Sequence, residues 1–207
     1  MRHPGDAPHL DPTTWSQLVD SIDAAPIFVL IRAWLGPDAR MHVSVEDIWQ
    51  EALWMAWRDR TQHEWEGLTK YRAWLLGIAR NRIRELVRSI SAQKRGGSSP
   101  TARFSDLGNP DTLEGYLPPR STTPSRVASH VERAASLERA LAVLEEPVRD
   151  VVRLRVFEEL PVKEGAEKLG IPMGTFRDRL ARGLRAYRDE LRRLLGPDHA
   201  ADTGAPP

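Results

Sequence analysis

The chain has 207 residues, 41% of them hydrophobic and 29% charged, with 30 Lys and Arg set against 29 Asp and Glu. That length accommodates two small domains or one larger one, and the composition is too apolar for a wholly unfolded chain. The absence of cysteine excludes a disulfide framework, a thiol nucleophile and a thiolate zinc site, and it accords with a reducing, cytoplasmic setting.

At the amino terminus Asp6, Asp11, Asp20 and Asp23 interrupt any apolar stretch, so no secretory signal is predicted. The run Ile27–Ile31 is far short of the roughly 18 apolar residues of a membrane span, and no membrane insertion is expected. Between Ser16 and Leu35 the apolar positions Leu18, Val19, Ile22, Ile27, Leu30, Ile31, Trp34 and Leu35 are spaced for helix faces rather than alternation. Pro26 would cost an internal hydrogen bond, so two short helices are predicted, the second starting near Pro26 and stopped by Gly36-Pro37.

Ser44 before Val45-Glu46-Asp47 predicts an N-cap with acidic residues in the first turn. The helix it opens places Val45, Ile48, Trp49, Ala52, Leu53, Ala56 and Trp57 on one broad face. Asp59 to Lys70 is polar, contains Gly67 and reads as a loop. A further helix from about Lys70 to Ile90 offers Trp74, Leu75, Ile78, Ile83, Leu86 and Ile90 for burial.

The pattern then fails. Gly96-Gly97-Ser98-Ser99-Pro100, Asn109-Pro110, Pro118-Pro119 and Ser121-Thr122-Thr123-Pro124 are too polar and too broken to form a core. The division predicted is therefore a helical module over 12–91, a flexible linker over 92–129, a second helical module over 130–195 and a disordered tail over 196–207. The second module opens on Val131–Leu144, with Ala134, Leu137, Ala140, Leu141 and Leu144 at helical spacing. Pro147 suits the first turn of a helix running to about Phe157, and two more helices are predicted over Val162–Leu169 and from Gly174 to about Leu195.

That last pair has the layout of a helix-turn-helix. Gly170 supplies the positive φ of a sharp turn, Ile171 plugs the angle between the helices, and Pro172 stops the first one. Phe176, Leu180, Leu184 and Tyr187 form the predicted inward face. Arg177, Asp178, Arg179, Arg182 and Arg185 then face outward, where arginine forks suit guanine edges or phosphates in a major groove. Thr175 lies near the start of this helix, placed either to cap it or to meet a phosphate. Asp178 either accepts from a cytosine amino group or braces Arg182 four residues on, with bracing favoured. The competing reading is a plain amphipathic helix pair, against which the turn, the Gly-x-Pro stop and the basic outer face coincide.

Charge is segregated along the chain. Acidic residues dominate up to Glu66; from Lys70 to Arg103 nine basic side chains face Glu85 alone, and a second basic stretch runs from Arg177 to Arg193. Two polyanion-facing surfaces beside an acidic one suited to a protein partner are implied, although for one stretch alone solvated arginines are as good a reading. In the first module Trp65, Tyr71 and Trp74 precede Arg80, Asn81, Arg82, Arg84 and Arg88, the mixture of rings and cations that melted DNA requires. Trp74 is at core spacing and is read as buried, which leaves Trp65 and the basic side chains as the candidates.

"VEDIWQEALWMAW" (Val45–Trp57) and "YRAWLLGIARNRIRELVR" (Tyr71–Arg88) resemble region 2 of the extracytoplasmic-function (ECF) sigma factors, and Leu137–Leu191 resembles their region 4. The resemblance implies an all-α protein, a region 2 bundle and a region 4 helix-turn-helix on a flexible linker, acting as a non-catalytic, cofactor-free subunit of RNA polymerase. It carries over Asp47, Gln50 and Glu51 as contacts to the polymerase core. It places the 59–70 loop with Arg80, Asn81 and Arg84 at the minus-ten promoter element, where the ring-and-cation pattern adds Arg88 and Trp65 as candidates, and Arg177, Asp178, Arg179 and Arg182 at the minus-thirty-five element, where the residue pattern adds Thr175. It also implies an anti-sigma factor or other regulatory protein as a further partner. Three departures stand out: Gly165 where the family has an apolar residue, Asp178 where it has a small polar one, and Glu85 where aspartate is usual. Gly165 costs about 1 kcal/mol in a helix interior unless a neighbour packs closely there.

Two other readings compete. One is a helix-turn-helix regulator that does not bind polymerase, which would not need a basic helix joined to an acidic one. The other is an all-helical enzyme, but His3, His9, His42, His63, His130 and His199 show no metal-ligand spacing, and no phosphate loop or nucleophile motif is present.

Overall fold

Helices make up all the regular structure of the described residues, as the 3.6-residue spacing predicts. The computed structural model describes residues 7–94 and 124–195; the linker motifs between Gly96 and Thr123 and the tail from Gly196 lie outside them. No described helix is long and apolar enough to cross a membrane. Helix α1 is Pro12–Ser21, α2 Ala24–Arg40, α3 Val45–Arg58, α4 Leu68–Lys94, α5 Pro124–Ala142, α6 Glu146–Val152, α7 Val162–Leu169 and α8 Met173–Leu195. Contacts divide them into two compact units. One takes the described chain up to Ala24 and from Ile31 to Ala128; the other takes Ala25–Leu30 and the chain from Ser129 on.

Local chemistry accounts for most of the boundaries. Asp11 caps α1, its Oδ1 accepting from the backbone N–H groups of Thr13 and Thr14 at 3.0 Å each, with Pro12 in the first turn. The α1–α2 break falls at Ile22-Asp23, and Pro26 sits in the first turn of α2, where its missing N–H costs nothing. Gly36 (φ 67°) interrupts α2 one residue before Pro37, which is the predicted stop. Ser44 and Asp47 form a reciprocal capping box at α3: Ser44 Oγ accepts from Asp47 N at 3.0 Å and Asp47 Oδ2 accepts from Ser44 N at 3.2 Å.

The seven residues assigned to the α3 face are all buried, and α3 packs on α4 in the first unit. On α4 the inner line differs from the expected one. Tyr71, Leu75, Ala79 and Ile83 are buried, whereas Trp74, Ile78, Leu86 and Ile90 are half-buried. The deep positions thus fall four residues apart on a single stripe, and the bulkier side chains flank it.

Helix α5 starts at Pro124, seven residues before the expected Val131, and its part in the second unit, from Ser129 on, buries Ala134, Leu137, Ala140 and Leu141 as expected. Arg149 closes its carboxy end, donating from Nε to Leu141 O at 3.1 Å and from Nη2 to Ala142 O and Leu144 O at 3.3 and 2.7 Å. Helix α6 runs into a π-helical turn over Arg153–Phe157. Helix α8 packs on α6 and α7. Its deepest residues are Phe176, Gly183, Tyr187 and Leu191; Leu180 and Leu184, expected inside, are half-buried. Gly183 explains the shift, because it lets the α8 backbone approach Val148 and Val152 closely: a Cβ there would stand 2.6 Å from Val152 Cγ2.

Candidate nucleic-acid interface

The turn between α7 and α8 is built as the sequence predicts. Gly170 ends α7 in the left-handed region (φ 63°, ψ 33°), and the N–H of Ile171 returns to Ala166 O at 3.1 Å. Ile171 packs against a small core of Val151, Leu154, Ala166 and Phe176, together with Leu160, Val162, Leu169 and Leu180. Phe176 is fully buried, and its ring fills the space where Gly165 has no side chain. The second helix is therefore seated on the first around the Phe176 ring, with Ile171 and Leu180 packed in the same cluster, and this sets which of its residues face outward.

That outward face carries Arg177, Asp178, Arg182 and Arg185, all exposed; Arg179 is half-buried. Among the described residues Asp178 makes no ion pair with Arg182, so the favoured bracing role is not realised. Its carboxylate is left open towards solvent beside the arginines. Thr175 is half-buried and is the third residue of α8, past the capping position, so the expected capping role is not the one it takes.

In the first unit the exposed face of α4 presents Asn81, Arg84 and Arg88 at successive turns, with Arg84 Nη1 donating to Asn81 Oδ1 at 3.4 Å. Arg80 is half-buried, its guanidinium 5.4 Å from the centre of the Trp34 ring. Arg82 does not join this face. Its side chain turns inward to an ion pair with Glu51 of α3, whose hydrogen bond raises the Arg82 pKa, and reaches Glu85 at 3.7 Å. Of the three residues expected at the polymerase core, Asp47 and Gln50 are exposed, whereas Glu51 is half-buried in that pair.

The loop before α4 is more ordered than its polarity suggests. A 3₁₀ turn over Arg60–Gln62 follows α3. Arg58 grips Asp59 through two 2.7 Å hydrogen bonds, which hold that carboxyl below its usual range. Arg60 lies over the Trp57 ring at 3.9 Å and donates to Trp57 O at 2.7 Å. Beyond the turn, His63 stacks on Trp74 (4.4 Å between centres, 15° between planes), and Trp65 stacks on His9 (5.6 Å, 19°). Burial pushes the His63 imidazole below its ordinary pKa, helped by His9 and opposed by Glu66, and burial raises that of Tyr71. His9 is what the sequence reading missed. Its Nε2 lies 2.9 Å from His63 O, 54 positions along the chain, a relationship no local spacing could reveal.

Residues 134–186, from α5 to the middle of α8, match the family model described as Sigma-70, region 4. Over 152 residues, 72% of this chain and 71% of the relative, the sequence is 30% identical to the RNA polymerase sigma-E factor of Streptomyces antibioticus. The chain is an ECF-type sigma factor. It directs transcription, and the basic face of α8 in this sigma factor belongs to a region 4 helix-turn-helix rather than to a generic bundle. Among its described residues no group of three or more His, Cys, Asp or Glu is placed to hold a metal ion.

Proposed function

We propose that this sigma factor works as a non-catalytic subunit in the cytoplasm, bound to core RNA polymerase, with one contact surface in each module. In the first (12–91), Asp47, Gln50 and Glu51 on α3 meet the core. The 59–70 loop, Trp65, Arg80, Asn81, Arg84 and Arg88 engage the minus-ten element. In the second (130–195), Thr175, Arg177, Asp178, Arg179 and Arg182 engage the minus-thirty-five element, and the chain between α4 and α5 tethers the two. An anti-sigma factor or other regulatory protein would compete for these same faces.

The observation that carries the reading is the exposure of basic side chains on two helices, Arg84 and Arg88 on α4 and Arg177, Arg182 and Arg185 on α8, each backed by a buried apolar line. Membership of the family supports core and promoter binding together. Phosphate neutralisation supplies affinity at both faces, and base-edge contacts on α8 supply choice of sequence. The test is run-off transcription with purified core polymerase on a library of randomised promoters. Enrichment of templates with two spaced motifs is expected. Binding to duplex DNA without any association with core polymerase would overturn the reading.

A further inference from the structure

The 59–67 segment is held from the far end of its module by a residue with no place in the roles proposed above. His9 precedes α1 yet is only 1% exposed. Its own position is fixed by the α1 cap. Leu10 N donates to Ala7 O at 3.1 Å and Thr14 Oγ1 donates to Pro8 O at 2.9 Å, beside the Asp11 cap. From there the imidazole makes a hydrogen bond from Nε2 to the backbone carbonyl of His63, stacks on Trp65, and lies 5.4 and 5.7 Å from the rings of His63 and Tyr71. Trp65 is thus backed on one face by His9 and on its flank by Tyr71 at 5.7 Å.

The hydrogen bond and the ring stack of His9 both fall on the 63–65 stretch, so this buried side chain ties the amino-terminal segment to that part of the loop. His63 also stacks on Trp74 and Trp65 leans on Tyr71, and the His9 hydrogen bond and stack add the tie that holds both residues from the amino-terminal side. We infer that His9 is a positioning residue for promoter opening: it holds Trp65 and the His63 backbone in the arrangement with which the loop engages the minus-ten element. The inference rests on the proposed role of this loop. It extends that role to a residue of the amino-terminal segment.

The experiment uses the full chain with core polymerase on a promoter duplex, scoring open complexes by the reactivity of unpaired thymines. His9→Ala should lower open-complex yield about tenfold, the loss expected for one hydrogen bond and one stack, while affinity for core is unchanged. His9→Gln, whose amide N–H reaches for the same carbonyl, should recover part of the yield. Adding Trp65→Ala to His9→Ala should cost little more, since both act through one loop. An unchanged yield in His9→Ala overturns the inference. So does a loss that tracks falling core affinity and melting temperature with no recovery in His9→Gln, or one that adds fully to that of Trp65→Ala. A wild-type protein that binds core and opens no promoter overturns the role of the loop itself.

Discussion

The ring of Phe176 occupies the place a side chain on Gly165 would take: a Cβ built on Gly165 would stand 2.7 Å from both Cε2 and Cζ. Because these residues lie on α7 and α8, the contact sets how closely the two helices of the helix-turn-helix approach. Gly165 in the interior of α7 is thus explained by a close neighbour rather than by a weak helix.

Gly165→Ala should therefore destabilise the second module, although alanine favours helix by about 1 kcal/mol. Overpacking of a buried site costs about 1–3 kcal/mol, and the Phe176 ring is enclosed by Val151, Leu154 and Ala166. A net loss of about 1 kcal/mol is expected in denaturant unfolding. Phe176→Leu in the same chain should relieve the clash, giving a favourable coupling in the double-mutant cycle. Additive losses would show that the ring moves aside freely.

Glu51 and Arg82 join α3 to α4, with side chains 19% and 15% exposed. Glu51→Ala removes the hydrogen-bonded carboxylate of a largely covered guanidinium, with Glu85 left at 3.7 Å, and should cost about 1–3 kcal/mol, as for other charge-assisted hydrogen bonds. Arg82→Ala should cost a similar amount, and the double variant much less than the sum. Gln50→Ala, at an exposed position, should weaken core binding with little change in melting temperature. If Glu51→Ala lowers core affinity in a protein of undiminished stability, the carboxylate contacts the polymerase directly.

His63 gives the first module a pH dependence. Burial holds its folded pKa below the ordinary 6.5, so the unfolded chain takes up a proton more readily. The stabilisation is complete above the unfolded value, declines as pH falls below it, and levels off once the lower folded pKa is passed. Of the titratable groups around it, His9 lowers and Glu66 raises that pKa, and the Tyr71 ring lies 5.4 Å away. Melting temperature should therefore drop between about pH 7 and pH 5.5 in the wild type, and less steeply in His63→Asn. Equal slopes in the two proteins would remove His63 as the cause.

On α8, Arg177→Ala should weaken promoter binding by about 1–3 kcal/mol and relax the sequence preference at one base position. Arg185→Ala, lying two turns further along, should weaken binding to promoter and random duplex alike and reduce the salt slope by about one. Competition binding across a range of salt concentrations measures both effects. Identical behaviour of the two variants would mean that Arg177 touches phosphate only.

Helical periodicity, capping and turn chemistry are local, and these were readable in the chain itself. Ser44 marks the start of α3, Gly170 the end of α7, and the apolar stripes of α3 and α5 are buried as their spacing requires. The basic stretches of α4 and α8, and the family they point to, are likewise written in residue order. Long-range choices are not. Which arginine of α4 turns inward was settled by Glu51, 31 positions away; the use of His9 was settled by a carbonyl 54 positions away. The deep line of α8 runs through Gly183 rather than Leu180 because an absent side chain admits Val148 and Val152. Spacing assigns a residue to a face of its own helix, but only the tertiary structure supplies the groups that face it, and close packing makes that choice by contact and volume rather than by hydrophobicity alone.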